Sequence, residues 1–210
     1  MKIEKFVVGA VMTNCYVVSD EETGDAVVID PGGGAAKISA CLKAEQRKVR
    51  AILLTHGHFD HIMAAEALRR EFSAKVYCSE GDAELVQDPV MNVGRMFGME
   101  CTIAADGTFR DGETLQFGSL SCLVIATPGH TAGGVCFYFE SEGVLFSGDT
   151  LFFESVGRTD VPTANERTLL SSIRDRLLVL PEETKVCPGH GAATTIGYEA
   201  ENNPFLAGAW

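Results

Sequence analysis

Thr55-His56-Gly57-His58-Phe59-Asp60-His61 places three imidazoles and a carboxylate within six residues. Neutral imidazole nitrogen and carboxylate oxygen are the donors that zinc, iron and manganese accept in open, catalytic coordination. One histidine alone is commonly an ordinary surface or core residue. Three at this density, together with an aspartate, point to a metal site. His56 and His58 alternate, so an extended backbone projects them from one face while Gly57 permits a tight bend between them. Asp60 and His61 follow, offset from that pair, in a position that suits a second metal beside the first.

The remaining two of the five histidines sit in a local repeat, Thr127-Pro128-Gly129-His130 and Cys187-Pro188-Gly189-His190. Each places Pro-Gly-His after an apolar, strand-like run. Proline halts sheet pairing, glycine permits the turn, and the histidine is delivered beyond the sheet edge. Asp149, in Ser147-Gly148-Asp149-Thr150, stands at another strand end. Taken alone it reads as a turn or capping aspartate, and only its company makes it a candidate ligand.

The elements that must position these residues can be read from apolar periodicity. Strand-like runs cover Ile3 to Val8, Cys15 to Val18 and Ala26 to Ile29, with polar turns between them, as in an antiparallel meander. Ile38, Cys41 and Leu42 recur at helical spacing, so Ala35 to Gln46 is expected to be a helix. Val49 to Leu54 is a buried strand that delivers the histidine cluster, and a helix is expected from about Asp60 to Phe72. A short strand at Lys75 to Cys78 and a short helix at Gly81 to Val86 follow. Asp88 to Glu100 has no clear period; its Met91, Met96, Phe97 and Met99 fit either a lid over an apolar substrate or a loop packed on the core. Strands are expected at Cys101 to Ala104, Thr114 to Phe117, Ser121 to Ala126, Val135 to Phe139 and Val144 to Phe146. A helix from Asn165 to Leu180 buries Leu169, Leu170, Ile173, Leu177 and Leu178. A last strand at Thr184 to Cys187 precedes a loop-like tail. Two successive sets of strands and helices in similar order call for a layered α/β sandwich.

Composition bounds the function. The 210 residues are read as one domain. No stretch reaches the length of a membrane-spanning helix, and the short apolar run Phe6 to Met12 reads as a first strand rather than a signal peptide. A net charge of −12, from 17 basic and 29 acidic residues, argues against a phosphate-binding surface, so nucleic acid is not an expected partner, and without a spanning stretch neither is a membrane. Seven cysteines, odd in number and without a C-x-x-C pair, indicate neither a disulfide framework nor a zinc ribbon. They are expected as free thiols in apolar strands, in a reducing cytoplasm.

Taken together, T-H-G-H-F-D-H, T-P-G-H-T, G-D-T and P-G-H-G in this order resemble the metallo-β-lactamase superfamily, and the resemblance spans nearly the whole chain. It implies a four-layer αβ/βα sandwich with two mixed central sheets flanked by helices. It further implies that His56, His58 and His130 hold one divalent metal, that Asp60, His61 and His190 hold the other, and that Asp149 bridges them. Zinc is the first expectation for both ions, with iron or manganese compatible. Such a pair supports hydrolysis by an activated water, with Asp60 orienting it.

Within that superfamily, β-lactamases of the best-known subgroup carry cysteine where Asp149 stands and lack a histidine at the place of His61. Flavoprotein and RNA-processing members carry features absent here. The chain is most similar to short bacterial glyoxalase II-like proteins, through Gly157-Arg158-Thr159-Asp160, Pro188-Gly189-His190-Gly191 and Asn203-Pro204-Phe205. The resemblance implies a small thioester as substrate. The C-terminal helical domain and the lysine with which full-length glyoxalase II grips glutathione have no counterpart, which leaves the thiol carrier open. Arg158 is a candidate for binding a substrate carboxylate, since a planar guanidinium suits bidentate anion capture, or else a loop partner of Asp160. The alternative reading is a persulfide dioxygenase with one iron on His56, His130 and Asp149, or a hydrolase of another small ester or lactone.

Overall fold

The computed structural model describes residues 1–206, so the expectation of one domain over 1–210 lies outside the described residues for its last four. β1 (Lys2–Val8), β2 (Thr13–Ser19) and β3 (Asp25–Ile29) form an antiparallel meander, after which α1 (Ala35–Ala44) crosses to β4 (Lys48–Leu53), parallel to β3. α2 (Phe59–Ile62) and α3 (Ala65–Phe72) lead to β5 (Lys75–Ser79) and β6 (Gly107–Phe109), both added in parallel. This six-stranded sheet has the order β1-β2-β3-β4-β5-β6.

The second sheet begins with four antiparallel strands, β7 (Thr114–Phe117), β8 (Leu120–Ala126), β9 (Val135–Phe139) and β10 (Val144–Gly148). A two-stranded ribbon, β11 (Leu151–Phe152) with β12 (Ser155–Val156), precedes α4 (Glu166–Ser172), which runs on through a π-helical turn at Ile173–Leu177. β13 (Lys185–Pro188) then pairs in parallel with β10, β14 (Thr194–Thr195) adds at the edge, and α5 (Ile196–Asn202) follows. The order is β14-β13-β10-β9-β8-β7.

Three apolar layers explain why the strand segments are apolar at nearly every position. On β2 and β3, Cys15, Val17, Ala26 and Val28 face α1 and α3, where Ile38, Leu42 and Leu68 complete a core. Their alternates Tyr16, Val18, Val27 and Ile29 turn inward and meet Phe137, Phe139 and Phe146 of the second sheet. The outer face of that sheet, with Cys136, Tyr138 and Leu145, packs on Leu169, Ile173 and Leu177. Period-two alternation between two buried faces yields helix, sheet, sheet, helix. All seven cysteines are free, five of them buried.

Several expected elements differ. Cys101 to Ala104 is not a strand: the Cys101 carbonyl accepts from Asn92 Nδ2 and the Ile103 amide donates to Val86, which leaves no ladder for this run, and the sixth strand is Gly107–Phe109. The helix expected from Asp60 to Phe72 breaks at Met63–Ala64, where the Ala64 amide donates to Pro31 O. Gly81 to Val86 resolves into separate 3-10 turns at Glu80–Asp82 and Leu85–Gln87. The tail is not all loop, because Thr195 caps α5 by accepting from the Tyr198 amide.

Candidate metal centre

All seven residues expected as ligands converge where the C-terminal ends of β4, β10 and β13 and the loop after β8 meet. One donor atom each from His56, His58 and His130 lies within a span of 4.8 Å, and the same holds for Asp60, His61 and His190, and for His56, His61 and Asp149. Asp149 stands between the two groups: its Oδ2 is 3.5 Å from both His130 Nε2 and His190 Nε2, and its Oδ1 is 3.4 Å from His61 Nε2. Asp60 Oδ2 is 3.3 Å from His190 Nε2 and 3.4 Å from His61 Nε2. Donors held tetrahedrally about 2.1 Å from an ion are separated by roughly 3.4 Å, so this spacing fits divalent metal. His56 Nε2, His61 Nε2 and Asp149 Oδ1 are buried without any hydrogen-bond partner. Buried polar atoms are otherwise paired, and three orphans aimed at one point fit a bound cation.

The ring orientations are set by a surrounding layer of groups, as metal-site histidines require. His56 Nδ1 lies 3.1 Å from Thr55 Oγ1, whose hydroxyl donates to Asp30 Oδ2, and Asp30 Oδ1 accepts from the Thr55 amide. His61 Nδ1 lies 3.0 Å from the same Asp30 Oδ2, a charge contact without hydrogen-bond geometry. His130 Nδ1 meets the Arg158 carbonyl at 2.7 Å, which turns Nε2 toward the cluster. Thr13 Oγ1 donates to Asp60 Oδ2. Fully buried Asp82 accepts from the Gly57 amide, the Gly133 amide and the Thr131 hydroxyl, tying the loop of His56 and His58 to that of His130. β2 holds the last loop: Asn14 Nδ2 and Tyr16 Oη both donate to Pro188 O, and the Asn14 amide donates to Gly189 O.

Glycine serves close approach here more than it serves turning. A Cβ on Gly189 would sit 2.2 Å from Asp149 Oδ1 and 2.8 Å from His61 Cε1. One on Gly57 would meet Leu85 Cδ2 at 2.5 Å, so that residue is glycine for packing, not for the bend the sequence suggests.

Electrostatics separates the histidines into two kinds. Burial pushes His56 well below its ordinary range, reinforced by His61 and His58, and burial with the neighbouring His130 brings His58 to about 3. Both are therefore held neutral, with Nε2 unpartnered in each, while His58 Nδ1 meets His130 Nε2 at 2.9 Å. His61 is raised well above the usual range, because Asp60, Asp149 and Asp30 overcome its burial. His190 is lifted to about 9 against its burial, by hydrogen bonds to Asp149 and Asp60. In turn, and against burial, His61 and His190 hold Asp60 near about 2 and Asp149 well below the usual carboxylate range. Proton affinity is thus raised on the side of the cluster where Asp60 and Asp149 lie.

The cluster opens into a cleft of about 130 Å³ bounded by Val11, Phe59, Val93, Phe97, Val161 and Arg158 as well as by His58, Asp60, His130, Asp149 and His190. No serine or cysteine is among these lining residues. Arg158 reaches the cleft wall, but its Nε and Nη2 donate to Asp160 Oδ1 and Oδ2 at 2.6 and 2.8 Å, in the exposed loop pair that was one of its two expected roles. Its carbonyl, by orienting His130, is the part that touches the ligand set.

A profile of the Metallo-beta-lactamase superfamily matches residues 8–190. The chain belongs to that superfamily. Hydroxyacylglutathione hydrolase GloC of Haemophilus influenzae is 36% identical over 209 residues, covering 98% of each chain. The crystal structure of BLEG-1 B3 metallo-beta-lactamase has a TM-score of 0.95 and 43% identity, covering 99% of this chain and 100% of that one. TTHA1623, solved in a di-iron-bound form, has a TM-score of 0.86 and 37% identity, with 97% and 100% covered. The two mixed sheets flanked by helices are the metallo-beta-lactamase fold, and the family makes this chain a metal-dependent hydrolase. Among the described residues no helix is long and apolar enough to cross a membrane.

Sequence reasoning missed Asp30, Asp82, Thr13, Asn14 and Tyr16. Asp30 carried a usable signal, since it ends a strand in Asp-Pro-Gly-Gly-Gly and has φ +51°, a conformation aspartate tolerates better than most residues. Asp82 carried none: its three partners come from segments 25 to 51 residues away.

Proposed function

We propose that the protein hydrolyses a small thioester. The observation that carries this reading is the pair of three-donor groups sharing Asp149 at the floor of an open cleft, in a chain alike end to end to a hydroxyacylglutathione hydrolase. His56, His58 and His130 would hold one divalent ion and Asp60, His61 and His190 the other, with Asp149 between them. Ions held there would make water acidic enough to ionise near neutral pH and would polarise a carbonyl.

The chain's own residues supply the rest. Asp60 faces the cleft, is fixed by the Thr13 hydroxyl, and orients the attacking water while taking its proton. Water oxygen bonds to the acyl carbon, the carbon–sulfur bond breaks, and the proton passes to the departing sulfur. The cleft wall offers no serine or cysteine nucleophile, so direct attack by water is the proposed route. The cleft is smaller than the roughly 300–1,000 Å³ of common ligand pockets, which favours a small thioester.

The experiment is metal analysis of protein purified without added metal, together with thiol release from a thioester panel that includes S-lactoylglutathione. About two ions per chain and thiol release are expected. Fewer than one ion per chain with no release overturns the reading. Likeness to BLEG-1 favours a second one, opening of a β-lactam, and nitrocefin turnover exceeding every thioester would put it first. Oxygen uptake with glutathione persulfide would instead mark an iron dioxygenase.

A further inference from the structure

We infer, granting the thioester reading above, that the substrate is an apolar thioester on an uncharged carrier, selected by Phe97, and that glutathione esters are poor substrates. Apart from the ligand set and Arg158, the cleft wall consists of Val11, Phe59, Val93, Phe97 and Val161. Phe97 stacks on the buried ring of Phe59, with centroids 4.9 Å apart and 27° between planes, yet half of its surface remains exposed. Its neighbour Met96 is 74% exposed, and Met12 on the β1–β2 turn is 65% exposed. A half-exposed aromatic ring on a cleft wall otherwise made of valine and phenylalanine offers an apolar contact surface.

The segment that carries Phe97 is held in place. Val93 has φ +57°, a left-handed conformation that a β-branched residue adopts only when its surroundings impose it. Those surroundings are present: buried Asn92 binds Cys101 O and the Gly94 amide through its side chain, and its carbonyl accepts from the Phe59 amide. An apolar wall fixed at this cost is a built feature of the cleft.

Recognition of glutathione has no matching provision. Its two carboxylates need cationic or forked donors. Among the described residues of the cleft wall, Arg158 is the sole lysine or arginine, and Asp160 takes two of its donors. Lys5 lies near the last loop, but it donates to Gly191 O and does not line the cleft. The chain's charge of −12 further disfavours an anionic carrier.

The test compares kcat/KM for acetyl- and hexanoyl-N-acetylcysteamine, hexanoylglutathione and S-lactoylglutathione on the metal-loaded protein. Four added methylenes, partly buried against Phe97, should raise kcat/KM about tenfold from acetyl to hexanoyl. Hexanoyl-N-acetylcysteamine should also exceed hexanoylglutathione by about tenfold. Phe97→Ala, at a half-exposed position and with folding checked by its melting temperature, should bring the hexanoyl-to-acetyl ratio close to one. Equal or faster turnover of the glutathione esters, or a ratio unmoved by Phe97→Ala, overturns this inference and leaves the thioester reading standing. Absence of thiol release from all four compounds overturns both.

Discussion

Asp60 is the residue on which the proposed ligation and the proposed proton transfer meet. It faces the cleft, accepts from Thr13, and stays ionised near about 2 because His61 and His190 outweigh its burial. Asp60→Asn keeps the shape and removes the charge, so kcat/KM should fall by about 10²–10⁴ while the melting temperature moves little. Activity within a few fold of the parent would remove Asp60 from proton transfer. His190 gives a pH prediction of definite sign. With its pKa raised to about 9, the metal-free fold gains fully from the protonated form below its ordinary range and loses that gain as pH rises through about 9. Metal loading runs the opposite way, since an incoming ion must displace that proton. Zinc affinity of the stripped protein should rise with pH up to about 9, with one to two protons released per chain at pH 7. Calorimetric titration in buffers of different ionisation enthalpy measures the release, and a value of zero would show that His61 and His190 are already neutral.

Ligands alone do not place themselves; the elements beneath them do, and Asp82 is the test of that. It joins the loop after β4 to the loop after β8, accepting two backbone amides and one hydroxyl. Asp82→Ala would strand buried donors and should cost about 3 kcal/mol, equivalent to a melting temperature lower by roughly 6–12 °C in a chain of this size. It should also weaken zinc binding by about 10–100-fold. Asp82→Asn retains one acceptor and should fall between. A variant that melts lower but binds zinc normally would limit Asp82 to stability. The same residue shows where sequence reading stops. The apolar runs of β2, β3 and β9, and the turns that carry His56, His58, His130, Asp149 and His190, were legible because composition and turn chemistry are local. Asp82 was not, because its meaning lies in contacts across the sheets. Cys101 to Ala104 misled for a related reason: apolar residues suit a strand, but its backbone donors and acceptors were already engaged by the loop before it. α5 was hidden by Gly197 and revealed by its Thr195 cap.

For the molecule as a whole, the question is how far the fold depends on the metals. The three apolar layers form without any ligand residue, and Phe137, Phe139, Phe146 and Leu169 lie wholly in strand and helix packing. The carboxylates of Asp60 and Asp149 raise the proton affinity of His61 and His190, so protons taken up when the site is emptied offset part of the charge that the ions would neutralise. Chelation should therefore lower stability without unfolding the chain. Metal present at about 1,000 times its dissociation constant adds about 4 kcal/mol, which at roughly 2–4 °C per kcal/mol corresponds to a melting temperature higher by about 8–16 °C. Far-ultraviolet dichroism of the chelated protein should match that of the loaded one, while the thermal midpoint drops by that amount and returns on adding zinc. Loss of secondary structure at 25 °C on chelation would mean that the centre, rather than the layered core, holds the two sheets together. An unchanged midpoint would mean that the cluster binds no stabilising ion at all.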